Sequence, residues 1–142
     1  MTSSLLTLFA ASLLAAAPVA MAQPLPDGRY GGSFSQKDGR DIPVTLNLGT
    51  QIVSARTPYS LRFDEPWSCT FDLQYASTTI IDTPAGKETT RSYSLVGQGQ
   101  GRCVTLGQGR VLLTPLSDGY RAELIQRNER TPLYSLKLEK AN

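Results

Sequence analysis

The sequence predicts an all-β domain, a small antiparallel meander that closes into a barrel, with a two-sheet β-sandwich as the alternative. Three observations predict this class. Apolar and polar residues alternate with period two in one short segment after another, as in strands that bury one face. Asp-Gly dipeptides and a Pro-Ala-Gly sequence separate these segments with turn residues. After residue 23, no stretch has the apolar stripe of an amphipathic helix.

The strands are predicted one by one along the chain. The first is RYGGSF at residues 29–34, and Asp38-Gly39 folds it back onto residues 42–48, where Ile, Val and Leu alternate with Pro, Thr and Asn. Pro84-Ala85-Gly86 and Asp118-Gly119 supply two further turns. Eight to ten short strands at this spacing indicate one sheet that closes on itself, which also removes exposed edges. The other alternating segments are residues 59–63, 68–75, 78–81, 91–96, 110–114, 120–126 and 134–138.

The first 22 residues have the pattern of a secretory signal peptide. They contain no charged side chain, residues 5–17 form an apolar run, and Ala20-Met21-Ala22 places small residues before a cut at Gln23. The run is shorter than the roughly 20 residues that a membrane span needs, so we expect cleavage and no stable membrane insertion. We therefore predict a signal peptide at 1–22, a single all-β domain at 23–142, and a location in the periplasm or outside the cell.

Cys69 and Cys103 are the two cysteines of the chain, and an oxidising compartment gives them one connectivity. Their spacing is unlike the Cys-x-x-Cys arrangement that lowers the pKa of a redox thiol. We therefore predict a structural disulfide, which stabilises by roughly 3.5–4 kcal/mol in the chain-entropy model. The bond would tie the strand at 68–75 to the segment that enters the strand at 110–114.

Composition excludes several classes of function. The chain has no histidine, so it has no Ser-His or Cys-His couple and no imidazole metal ligand. A formal net charge of +2 is far below the basic excess of a nucleic-acid-binding domain. No Asp-x-Asp-x-Asp-Gly calcium loop occurs. We expect a protein that is not an enzyme, with no metal, no cofactor and no nucleic-acid partner.

Two segments are candidate contacts for a protein partner. Arg62 and the only tryptophan, Trp67, lie close together in the first, and both residue types are enriched at binding hot spots. The alternative is that Trp67 packs over the predicted disulfide at Cys69. The second segment is a polar hairpin tip, for which the alternative is a solvated loop of mixed charge. Its candidate contact residues are Arg127, Asn128 and Arg130.

Two other patterns have a functional and a structural interpretation. The glycine-rich residues 97–101 could cradle a phosphate, but no Lys-Ser/Thr pair follows, which favours a loop or bulged connection. Tyrosines recur at alternating strand positions, where they line either a ligand pocket or simply the core. These tyrosines are Tyr30, Tyr59, Tyr75, Tyr93, Tyr120 and Tyr134.

A signal peptide, a meandering β domain and one disulfide make a layout that is similar to small secreted calycin-like domains and to periplasmic inhibitor or immunity proteins. The resemblance implies a calycin-like barrel and an exported, soluble binding module of the cell envelope that engages another protein. One alternative is a structural envelope subunit. Another is a carrier of a small apolar ligand within the barrel. Its predicted lining is Ile42, Val44, Leu46, Phe63, Phe71, Leu73, Leu113, Leu124 and Leu136.

Overall fold

A computed structural model describes residues 25–49, 59–97 and 101–142, and the predicted signal peptide lies outside these residues. Each strand pairs antiparallel with the next, and the last pairs with the first, so the sheet is a closed eight-stranded barrel. The predicted small antiparallel barrel is confirmed, and the sandwich is not formed. The strands are β1 Gly28–Ser35, β2 Asp41–Leu48, β3 Tyr59–Phe63, β4 Cys69–Thr83, β5 Gly86–Val96, β6 Arg110–Pro115, β7 Gly119–Ile125 and β8 Tyr134–Lys140.

Closure of the barrel depends on a close approach of β1 and β8. Their register includes the pairs Tyr30 with Lys140 and Gly31 with Glu139. At Gly32, a Cβ atom would lie 2.1 Å from the carbonyl oxygen of Lys137. Only a residue without a side chain fits there, so Gly32 allows the first and last strands to meet.

Two local predictions differ from the structure. Residues 68–75 and 78–81 belong to one strand, β4, whose pairing with β5 is irregular between Tyr75 and Ser77. An extra residue at a bulge interrupts the alternation of faces, and this is why one strand has the pattern of two. Cys103 lies in a short 3-10 helix, Gly101–Leu106, that precedes β6 and that the sequence pattern did not predict. Residues 98–100 of the glycine-rich segment lie outside the described residues.

The interior of the barrel is a solid apolar core. Each of the nine side chains predicted to face inward is buried, and the fully buried ones include Phe63, Phe71 and Ile42. A cavity large enough for a ligand would leave its lining accessible to a solvent probe, whereas these side chains have almost no accessible surface. Space for a ligand therefore lies outside this central layer.

The disulfide and Trp67 cover one end of the barrel, which we call the closed end. Cys69 at the start of β4 is bonded to Cys103 in the 3-10 helix, with 6.4 Å between their Cα atoms. This confirms the predicted staple, and such a bond is typical of extracytoplasmic proteins. Trp67 packs beside it, with its ring centroid 5.2 Å from Phe34 and 5.7 Å from Tyr134.

We call the opposite end the mouth. There β1 and β7 begin, β6 and β8 end, and the hairpin of β4 and β5 continues past its neighbouring strands. Among the described residues, β3 pairs with β4 only as far as Asp72, and β6 pairs with β5 only from Arg91 onward. Residues 78–89 therefore form a two-stranded ribbon that projects from the rim of the mouth.

Candidate functional site

The first predicted contact segment lies at the closed end. Arg62 is exposed, and its Nε atom lies 3.0 Å from Oδ1 of Asp64. Trp67 is only 5% exposed, so the indole belongs to the aromatic cluster and offers little surface to a partner. Its ring N–H has no hydrogen-bond partner among the described residues. Of the two side chains, only Arg62 presents a polar group at the surface.

The second predicted segment, the loop between β7 and β8, lies at the same end, because β3 and β7 both run towards it. Arg127 donates a hydrogen bond to the side-chain oxygen of Gln108. Asn128 occupies a left-handed backbone position with φ of 63°, which asparagine tolerates at turns. Arg130 is exposed. The fold thus brings both predicted segments to one end, and their contact with a partner stays a prediction.

The ribbon exposes more apolar surface than either of these loops. Ile80 is 62% exposed and Ile81 is 51% exposed. Ile80 pairs with Thr89 and Ile81 with Glu88, so the two isoleucines point to opposite faces. The side chain of Glu88 forms an ion pair of 2.9 Å with Arg121 on β7, which fixes the ribbon relative to the barrel.

The mouth contains a cleft of about 600 Å³, a volume typical of small-molecule sites, between the N-terminal segment, the loop between β6 and β7, and the end of β8. Leu25 is buried at its edge, and the Leu25 N–H donates a hydrogen bond of 3.0 Å to the hydroxyl of Tyr59. That bond holds the N-terminal segment across part of the mouth. The cleft combines apolar and polar lining, mainly Leu25, Pro26, Pro115 and Leu116 with Tyr30, Arg91, Tyr120 and Lys140.

Two basic residues of the cleft lining project from inward-facing strand positions: Lys140, which pairs with Tyr30 and is exposed, and Arg91, which is half-buried. Arg91 pairs with Leu113, which is buried in the core, and cross-strand partners share a face of the sheet. The Nε atom of Arg91 is buried and has no hydrogen-bond partner among the described residues. Within the described part of the chain, no carboxylate lies within 4.0 Å of its guanidinium. The result is a cation with unused donors at the mouth.

Tyr93 and Tyr120 lie near this arginine and contact further tyrosine rings. Tyr30 and Tyr120 meet edge to face at 5.0 Å, and Tyr93 contacts Tyr59 at 6.0 Å and Tyr75 at 5.9 Å. Burial raises the pKa of Tyr93 and of Tyr120 to about 12, while the positive charge of Arg91 partly opposes the shift. These two phenols stay neutral under physiological conditions, so neither neutralises the guanidinium.

Sequence reasoning recognised the recurring tyrosines but missed Arg91. The signal was present, because Tyr93 and Leu95 define the buried face of β5 and the same alternation places residue 91 on it. A basic residue at an inward position is rare and indicates a functional site. Because the bulge after Tyr75 interrupts the alternation, the sequence pattern does not show which residues of β4 beyond it share a face with Tyr75.

No family model, curated protein or solved structure matches this chain. In the described residues, no group of three or more His, Cys, Asp or Glu side chains is placed to hold a metal ion. In the same part of the chain, no helix is long and apolar enough to cross a membrane. Interpretation of function therefore depends on the ribbon, the cleft and the two loops of the closed end.

Proposed function

We propose that this chain is an exported binding module of the cell envelope, located in the periplasm or outside the cell, that engages another protein and performs no catalysis. The ribbon is the contact that we favour. The observation that supports it most is the exposure of the two adjacent isoleucines, Ile80 and Ile81, on a projecting hairpin. Scattered apolar residues at a surface are ordinary, but two large ones on a sheet edge favour association.

The geometry of the ribbon suits a protein partner for a second reason. Beyond Asp72, β4 has no neighbour other than β5 among the described residues, so the backbone N–H and C=O groups on its other edge have no partner strand there. A strand of a partner that adds to this edge would gain main-chain hydrogen bonds and the apolar side chains together. The ion pair between Glu88 and Arg121 links the ribbon to β7.

Site-specific photo-crosslinking tests this proposal and separates it from the loops of the closed end. A photo-crosslinking amino acid is placed at position 81 on the ribbon, at 130 on the β7–β8 loop, or at 37 in the β1–β2 turn as a control. We expect one discrete protein adduct from position 81 in the envelope of the producing cell, and none from position 37. An adduct from position 130 alone would transfer the contact to the closed end, and no adduct from any position would refute a protein partner.

The strength of the contact is measured with a matched pair of variants and the purified adduct partner. Replacing Ile80 and Ile81 together with serine is expected to weaken binding about tenfold or more, because the loss of two apolar anchors removes at least about 1.5 kcal/mol. The control is the double variant Arg127→Ser and Arg130→Ser. Both pairs are exposed, so thermal unfolding of both variants should match that of the unmodified protein.

A further inference from the structure

We propose that the cleft at the mouth is a binding site for a small amphipathic carboxylate, with the acid group held by Arg91 and the apolar part against Leu25, Pro26, Pro115 and Leu116. This site goes beyond the protein contact proposed above and does not depend on it. Its ligand class also differs from an apolar molecule enclosed in the barrel, because the central layer of the barrel is filled.

The guanidinium of Arg91, which forms no ion pair within the described part of the chain, specifies a negative charge in the ligand. Arginine stays protonated in proteins, and its planar fork of donors matches a carboxylate in a bidentate arrangement. Arg91 lines the cleft, and in the described part of the chain no carboxylate lies within 4.0 Å of its guanidinium, so a ligand carboxylate there replaces no existing ion pair. Tyr30 and Tyr120 lie in the same lining, where their rings meet edge to face.

The acidic residues at the rim do not compete for Arg91. Asp118 accepts a hydrogen bond of 2.8 Å from Nζ of Lys137, and that contact lowers the pKa of its carboxyl. Lys137 also lies 3.0 Å from Glu139. Asp118 and Glu139 also line the cleft, but Lys137 engages both carboxylates, and Arg91 and Lys140 are the cations of the lining.

The apolar wall requires a hydrophobic group next to the acid. Leu116 is 38% exposed at the tip of the β6–β7 loop, and Pro115 and Pro26 flank the opening. Covering these groups removes apolar surface from water, whereas a bare anion such as acetate leaves them exposed. A ligand with both parts is therefore preferred over a ligand with only one.

Titration calorimetry with three probes tests the assignment on the full exported protein. Octanoate supplies the acid and the tail, octanol only the tail, and acetate only the acid. We expect octanoate to bind at least about tenfold more tightly than either of the others, a margin that corresponds to one charge-assisted hydrogen bond. Absence of octanoate binding at millimolar concentration, or equal binding of octanol, would overturn the proposal.

Variants locate the site. Arg91→Met is expected to weaken octanoate binding about tenfold to a hundredfold, Arg91→Lys to weaken it less, and Leu116→Ser to weaken octanoate without changing acetate. Arg40→Met, in the exposed β1–β2 turn at the other end of the barrel, is the matched control and should bind octanoate normally. If Arg40→Met and Arg91→Met behave alike, the site is not at the mouth.

A peptide distinguishes the source of the carboxylate. A short peptide that ends in leucine with a free carboxylate presents an acid next to an apolar group, as octanoate does. The same peptide with a C-terminal amide lacks the negative charge and serves as the control. We expect octanoate to bind more tightly than the free peptide. Tighter binding of the free peptide than of octanoate would replace the small-molecule ligand with the terminus of a polypeptide.

Discussion

Adding one methyl group to either of two adjacent glycines tests how the barrel closes. Gly31 and Gly32 both lie on β1 beside β8. A Cβ atom on Gly31 would meet nothing within 4 Å, whereas one on Gly32 would lie 2.1 Å from the carbonyl oxygen of Lys137. Gly31→Ala and Gly32→Ala are therefore the same chemical change at neighbouring positions, and only the second one obstructs the approach of the first and last strands.

The expected cost follows from this geometry. Contacts of a Cβ atom below 3.0 Å essentially never occur, so Gly32→Ala forces β8 to move by about 1 Å, and overpacking of that size costs about 1–3 kcal/mol. In both variants, alanine lowers the backbone entropy of the unfolded chain, which raises the free energy of unfolding by about 0.5–1 kcal/mol. The difference between their free energies of unfolding is thus the cost of the displacement, about 1–3 kcal/mol.

Thermal unfolding followed by circular dichroism measures the difference directly. For a domain of this size, 1 kcal/mol shifts Tm by about 4 °C, so Gly32→Ala should melt about 4–12 °C below Gly31→Ala. Gly31→Ala should melt at or slightly above the unmodified protein. Equal melting of the two alanine variants, within about 1 °C, would show that closure does not depend on the absence of a side chain at position 32.

Three other predictions concern the two ends of the barrel. Replacing Cys69 and Cys103 with alanine should lower the free energy of unfolding by about 4 kcal/mol, which is the chain-entropy value for their separation of 34 residues. Urea titration measures this loss, and adding a reductant should not change the result for the alanine variant. In the same titration, Trp67→Ala should lower the free energy of unfolding by about 3–5 kcal/mol, because the closed end loses its largest aromatic ring. A loss below about 1 kcal/mol would contradict that packing. The unfolded chain loses tyrosine protons near pH 10, but burial raises the pKa of Tyr93 and of Tyr120 to about 12. Their contribution to stability should therefore be complete below pH 10 and be lost as pH rises to 12, and Tyr93→Phe should make that decline shallower.

Much of the fold is encoded locally and was predicted for that reason. Period-two alternation and Asp-Gly turns depend only on neighbouring residues, so they placed most strands within one or two residues of their observed bounds. Closure is not local. It depends on whether β1 and β8 fit together, which is decided by the space at Gly32 and by the register of strands far apart in the sequence. The sequence therefore left barrel and sandwich as alternatives.

The candidate site was predicted less well, because it depends on which strand ends meet. Arg62 and the loop of Arg127 were considered separately in the sequence, although β3 and β7 bring them to one end. Trp67 has two interpretations in the sequence, and only its contacts show that it lies in the core. A short motif does not indicate the direction of its strand, and that direction decides which end of the barrel a loop occupies.

Substitution of Arg91 should raise stability and weaken ligand binding, which is the behaviour expected of a functional side chain rather than a structural one. Among the described residues, the Nε atom of Arg91 is buried without a hydrogen-bond partner, and such a group costs free energy that an apolar side chain of similar length does not. Arg91→Met should therefore raise the free energy of unfolding by about 1 kcal/mol while it weakens octanoate binding. Urea titration with and without octanoate measures both effects in one experiment. If Arg91→Met is destabilising without ligand, Arg91 supports the fold, and the argument that its donors are kept free for a carboxylate fails.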